Sequence, residues 1–235
     1  MRYIEKHPMI MILVGVVGIS LSSIFVKYSA APSAVTAAWR LLWTVILLTP
    51  AVIGKASVRR EMGAVSPKLA VLSCLSGVFL AAHFALWFES LQHTTVASST
   101  TIVCTEVIWV ALGYWLFLKG KISLKAAAAI GVTLLGSVII AWSDSGSDAH
   151  LAGDLLALAA AVTVAVYTLL GRIVREKVST TVYTYLVYAA CALVLLFTCL
   201  VQEQKLLGMA PARCWWACCW RCFLLCWVTA FSAGV

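Results

Sequence analysis

Seven apolar runs follow one another along the chain, at roughly 8–26, 33–53, 69–91, 95–118, 124–142, 151–171 and 180–201. Each is near the ~20 residues a helix needs to cross the hydrocarbon core of a bilayer. The gaps between them alternate in charge. One set holds Arg2 and Lys6, then Lys55, Arg59, Arg60 and Lys68, then Lys119, Lys121 and Lys125, then Arg172, Arg175 and Lys177. The other set holds only Lys27 and Lys205, with Asp144, Asp148, Asp154 and Glu203. Basic residues gather on the cytoplasmic side of spanning helices. The pattern therefore predicts a multi-pass protein of the cytoplasmic membrane with its amino terminus inside.

With 63% hydrophobic and 11% charged residues, a soluble fold of this length would have too little polar surface to cover its core. The net charge of +8 does not point to nucleic acid, because the basic groups lie in short loops where the positive-inside bias places them. The first run, preceded by Arg2 and Lys6, resembles a signal peptide. We read it as the first spanning helix, since cleavage would reverse every later loop. The lipid bilayer and a small-molecule substrate are the expected partners. Nothing in the sequence fixes an oligomeric state.

Cys74, Cys104, Cys191 and Cys199 lie singly inside apolar runs, where thiols behave as small apolar groups. Cys214, Cys218, Cys219, Cys222 and Cys226 are instead interleaved with Trp215, Trp216, Trp220 and Trp227. No second pair of His or Cys follows at zinc-like distance. Cysteine and tryptophan codons all begin with TG, so a reading frame starting one base earlier turns each into NTG, which encodes Leu, Val or Met. A Cys/Trp cluster is what a Leu/Val-rich spanning helix becomes out of frame, and we place the loss of frame between about Gln202 and Cys214. A genuine thiol-rich tail at the membrane surface is the other reading.

Shifting the chain by 145 positions lays Lys27 on Arg172 and Thr36 on Thr181. The first and second helices then fall on the sixth and seventh. An offset of five helices is odd, so the two copies enter the membrane from opposite sides. This is the inverted repeat of secondary transporters, whose substrate sites lie between the copies near the midplane. The expected organisation is one five-helix repeat over 1–142, the first two helices of a second over 143–205, and an anomalous tail over 206–235. The fold class is all-α integral membrane protein, with about seven of an expected ten helices present.

The stretch Ser90-Leu91-Gln92-His93-Thr94-Thr95-Val96-Ala97-Ser98-Ser99, followed by an apolar helix and a short basic turn, resembles the third-to-fourth helix junction of EamA-type transporters in the drug/metabolite transporter superfamily. Trp39-Arg40-Leu41, and Gly131 with Gly136, sit where that family carries similar residues. The resemblance spans about 8–201 and implies ten helices in two inverted halves, exporting amino acids or other small metabolites. Two departures stand out. Val107 occupies the place of a frequent proline, and Lys119-Gly120 stands where the family has Gly-Glu. The recoded tail, with Leu-Gly followed by His or Asn, is similar to the family's eighth helix.

Glu106 lies about 11 residues, or ~16 Å, inside the outer end of the fourth run. An ionisable group at that depth is costly and by default functional. It suits proton coupling or a substrate ammonium; its bland reading is a neutral acid hydrogen-bonded for packing. Arg40, ~10 Å deep in the second run, suits either a substrate carboxylate or a packing pair with Glu106 or Glu89. His83, ~13 Å deep in the third run, shares a face with Trp87 and Ser90; it suits a proton relay or a structural hydrogen bond. Arg40, His83 and Glu106 are all expected to reach one outward-facing vestibule. Tyr167, Tyr183 and Tyr185 offer hydroxyls from the second repeat or belong to interfacial belts. Small residues at Gly18 and Ser22, at Ala127 and Gly131, and at Ala157, Ala161 and Ala165 follow the spacing for close helix contact.

No Walker loop, dinucleotide fingerprint, His-Glu-x-x-His or nucleophile elbow is found, so no catalytic residue and no cofactor are assigned. His83, Glu89 and His93 are rejected as a metal cluster because their faces and depths differ. Two functions follow: a secondary exporter working by alternating access, of which this chain is an incomplete form, or a non-transporting seven-helix scaffold or subunit.

Overall fold

The computed structural model describes residues 32–120, 122–143 and 151–203. The expected first span at 8–26 and the Cys/Trp tail at 206–235 lie outside the described residues. Within them the chain is helical. In order come α1 (Ser33–Gly54), α2 (Ala56–Ala64), α3 (Pro67–His93), α4 (Val96–Cys104), α5 (Glu106–Leu118), α6 (Leu124–Ser143), α7 (Leu151–Arg175) and α8 (Thr180–Val201). Five stretches are long and apolar enough to cross a membrane: α1, α3, α4 with α5, α7 and α8. In α6 the apolar stretch is shorter, Leu124–Ile139.

Pro67 opens α3 at a position where a missing N–H does no harm. At 27 residues, α3 is about 40 Å long, and it is the centre of the bundle. α7, α8 and α1 pack around it. Consecutive α7 and α8 scarcely touch; α7 lies on α3 and α5, and α8 on α3 and α1. In lipid such contacts rest on close packing of small residues rather than on water exclusion. Gly153, Ala157, Ala160, Ala161 and Ala165 are buried along α7 accordingly. The pair Ala127 and Gly131 behaves otherwise. Ala127 is exposed, and a β-carbon at Gly131 would meet nothing within 4 Å among the described residues. Small-residue spacing alone does not determine that a partner helix is present.

Two elements depart from the sequence reading. The loop carrying Arg59 and Arg60 contains α2, whose polarity conceals a short helix held by buried Val58. Arg59 Nη1 donates to the Ile53 carbonyl at 2.9 Å, which satisfies an orphan acceptor at the end of α1. The fourth apolar run is two helices. At Thr105 the backbone N–H bonds Ile102 O at 3.0 Å, and Thr105 Oγ1 donates to the same carbonyl at 2.6 Å. This tightening to an i→i−3 pattern interrupts the ladder, so the span breaks beside Val107 without a proline. The break leaves Glu106 in the first turn of α5, where the helix dipole favours a negative group.

Candidate functional site

Arg40, Phe84, His83 and Trp87 meet where α1 and α3 pack. Arg40 and His83 are buried at 7% and 6% exposure, depths at which an ionisable side chain has to be held by its surroundings. The Arg40 guanidinium carbon stands 4.9 Å from the centre of the Phe84 ring, within cation–π range. It also lies within electrostatic reach of His83 and of Cys191 on α8. His83 Nδ1 is 2.9 Å from the Ala160 carbonyl on α7. A carbonyl only accepts, so Nδ1 carries the proton and Nε2 of the neutral ring keeps a lone pair. The His83 ring is stacked with Trp87 at a centroid separation of 5.7 Å.

Trp87 is buried, and its indole N–H has no hydrogen-bond partner among the described residues. Its neighbour Ser90 is satisfied, donating to the Trp87 carbonyl at 2.7 Å and lying 2.6 Å from Ser99 Oγ on α4. The cluster thus sets a buried guanidinium beside an indole N–H that has no acceptor among the described residues.

Neither carboxylate expected to pair with Arg40 does so among the described residues. Glu89 Oε2 accepts from Ser33 Oγ at 3.0 Å, and its Oε1 lies 3.2 Å from His93 Nε2. Glu89 and His93 therefore share a face, contrary to the separation read from sequence; His83 still lies apart from them, and no cluster of metal-ligating residues occurs among the described residues. Glu106 sits half-buried on α5, a helix that packs on α7 rather than on α1. The structure brings Arg40, His83 and Trp87 together and sets Glu106 on another wall.

Tyr167 belongs to a second polar group nearer the basic end of the bundle. Tyr183, Tyr188 and Arg175 surround it, and Tyr183 OH lies 2.7 Å from Ser76 Oγ on α3. Tyr185 OH is 3.4 Å from Thr49 Oγ1 on α1. Tyr183 is buried and makes an interhelical bond instead of standing in an interfacial belt.

One connection escaped the sequence reading. Asp154 Oδ1 accepts from Thr94 Oγ1 and from Ser98 Oγ, each at 2.9 Å. A β-carbon at neighbouring Gly153 would come 2.7 Å from Thr94 Cβ. The Gly-Asp start of α7 is thereby latched to the α3–α4 junction. In the sequence Asp154 reads as a loop charge; the Thr-x-x-x-Ser spacing at Thr94 and Ser98, one helical turn apart, is the signal that points to this contact.

These features are those of a multi-pass membrane protein with polar groups buried between its helices. Residues 7–142 match the model of the EamA-like transporter family, and the chain belongs to that family. No curated protein matches the chain.

Proposed function

We propose that the protein is a secondary transporter exporting amino acids or other small metabolites across the cytoplasmic membrane, with its amino terminus inside. In this reading Arg40 and Trp87 receive an anionic group of the substrate, and His83 Nε2 accepts a proton or a substrate donor beside them. Tyr167 contributes to the wall formed by the second repeat. Glu106, on its separate wall, is the proton-coupling carboxyl. Two sites on different helices suit alternating access, in which repeats rock around a site near the midplane.

The observation carrying this reading is the buried indole N–H of Trp87, which has no acceptor among the described residues and stands near buried Arg40. Leaving a buried donor unmade costs about 1–3 kcal/mol, and a substrate carboxylate at this position would recover it. The test is binding of a radiolabelled amino-acid panel to the purified chain in nanodiscs. Binding of at least one carboxylate-bearing compound, lost in Arg40→Gln, is expected. A folded chain that binds none of the panel would return the scaffold reading.

A further inference from the structure

A cavity of about 740 Å³ lies between α5, α6 and α7. Its charged lining residues all lie at one end. Towards the basic end it passes from Val107 to Tyr114 on α5 and from Leu169 to Arg175 on α7, while Ile130 and Ala126 on α6, with Ser123 and Ile122 before it, line the third side. Arg172 also lines this end, and Glu176 contributes a single carboxylate against the two guanidiniums. Apolar walls thus run from the bilayer interior to a mouth that is net cationic.

The mouth is built, not incidental. The Arg172 guanidinium carbon sits 4.3 Å from the centre of the Tyr114 ring, and Nη2 is 3.3 Å from the Tyr114 hydroxyl. On its other side the ring is held by the end of α5. Lys119 is left-handed, with φ 49°, and turns the chain so that Gly120 N–H reaches Tyr114 O at 3.1 Å. A β-carbon at Gly120 would overlap the tyrosine ring. Tyr114 therefore fixes the plane of a guanidinium whose other N–H donors remain to be offered.

We propose that this cavity binds an anionic phospholipid, with the phosphate at Arg172 and Arg175 and an acyl chain along Val107, Ile130 and Leu169. Basic pockets between spanning helices take such head groups, and each cation near the surface strengthens the attraction. A soluble anion would use the arginines and leave the apolar walls idle. This site is independent of the transport reading, and its failure leaves that reading untouched.

The test is native mass spectrometry of the purified full chain with phosphatidylglycerol or phosphatidylcholine added. Phosphatidylglycerol is retained in preference, and Arg172→Gln or Arg175→Gln each weakens retention about fivefold. Arg60→Gln, a basic-end charge outside the cavity, leaves retention unchanged. Ala126→Trp, which fills a wall without altering charge, lowers it. Where Arg172→Gln unfolds, Arg172→Lys keeps the charge without the planar fork and lowers retention partially. Equal retention of the two lipids, or equal loss in Arg60→Gln, overturns the site. Displacement of the lipid by equimolar inorganic phosphate overturns the lipid as its occupant.

Discussion

The imidazole of His83 and the indole of Trp87 lie stacked, 25° from parallel, yet their polar atoms have opposite fates. His83 Nδ1 donates to the Ala160 carbonyl, whereas Trp87 Nε1 donates to nothing among the described residues. Trp87→Phe keeps an aromatic stack and removes the donor. The lost area and the removed unsatisfied group oppose each other, so thermal unfolding in detergent should shift by no more than about 1 kcal/mol. Substrate binding should weaken about tenfold, the worth of one hydrogen bond to a charged group. A large loss of stability with unaltered binding would make Trp87 a packing residue.

Two glycines give opposite predictions. A β-carbon at Gly77 would stand 2.6 Å from the Val187 carbonyl oxygen and 2.8 Å from Ala190 Cβ, so α3 and α8 would have to separate. Gly77→Ala should destabilise by about 1–3 kcal/mol. Gly131→Ala meets open space and should be neutral or stabilising by up to about 1 kcal/mol. Thermal unfolding of the pair checks both.

Asp154→Asn weakens the charge-assisted acceptance from Thr94 and Ser98 and should destabilise by about 1–3 kcal/mol. A double-mutant cycle with Ser98→Ala should show coupling of about 1 kcal/mol. Additive effects would mean that the latch contributes nothing as a pair.

Glu106→Gln retains shape and removes the titrating group. In an intact protein with both repeats, proton-driven flux in proteoliposomes should vanish, while membrane insertion and melting temperature hold. Undiminished flux would exclude Glu106 from coupling.

A lost reading frame is tested in the nucleic acid. Sequencing from codon 195 to several hundred bases past codon 235 should find an alternative frame continuing into three further apolar helices. A single uninterrupted frame without them would favour the thiol-rich tail as genuine.

Much of the fold was legible because apolar length is what a bilayer demands. The spans beginning near Ser33, Pro67, Leu151 and Thr180 lie where the runs predict. The break at Thr105 was not legible, since Thr-Glu-Val has no strong breaker and the interruption depends on one hydroxyl choosing the Ile102 carbonyl. At the site, burial depth identified Arg40 and His83 correctly as interior residues. Their company was beyond it: depth says how far in a residue lies, not which way around its helix it faces. Glu106 was accordingly grouped with Arg40, although its helix packs on α7. Ala127 and Gly131 likewise meet no close helix contact among the described residues, because spacing describes one helix and a contact needs two.

The seating of α7 and α8 on α3 also bears on how the protein is made. Helices leave the ribosome in order, and α3 enters the membrane well before either of its main partners exists. Until the later helices arrive, the close-approach surface around Gly77 faces lipid and Thr94 lacks its carboxylate. Long-range pairings of this kind form late and leave earlier segments exposed to wrong partners. Nascent chains stopped before Leu151 should therefore be the form most readily captured by membrane chaperones and quality-control proteases.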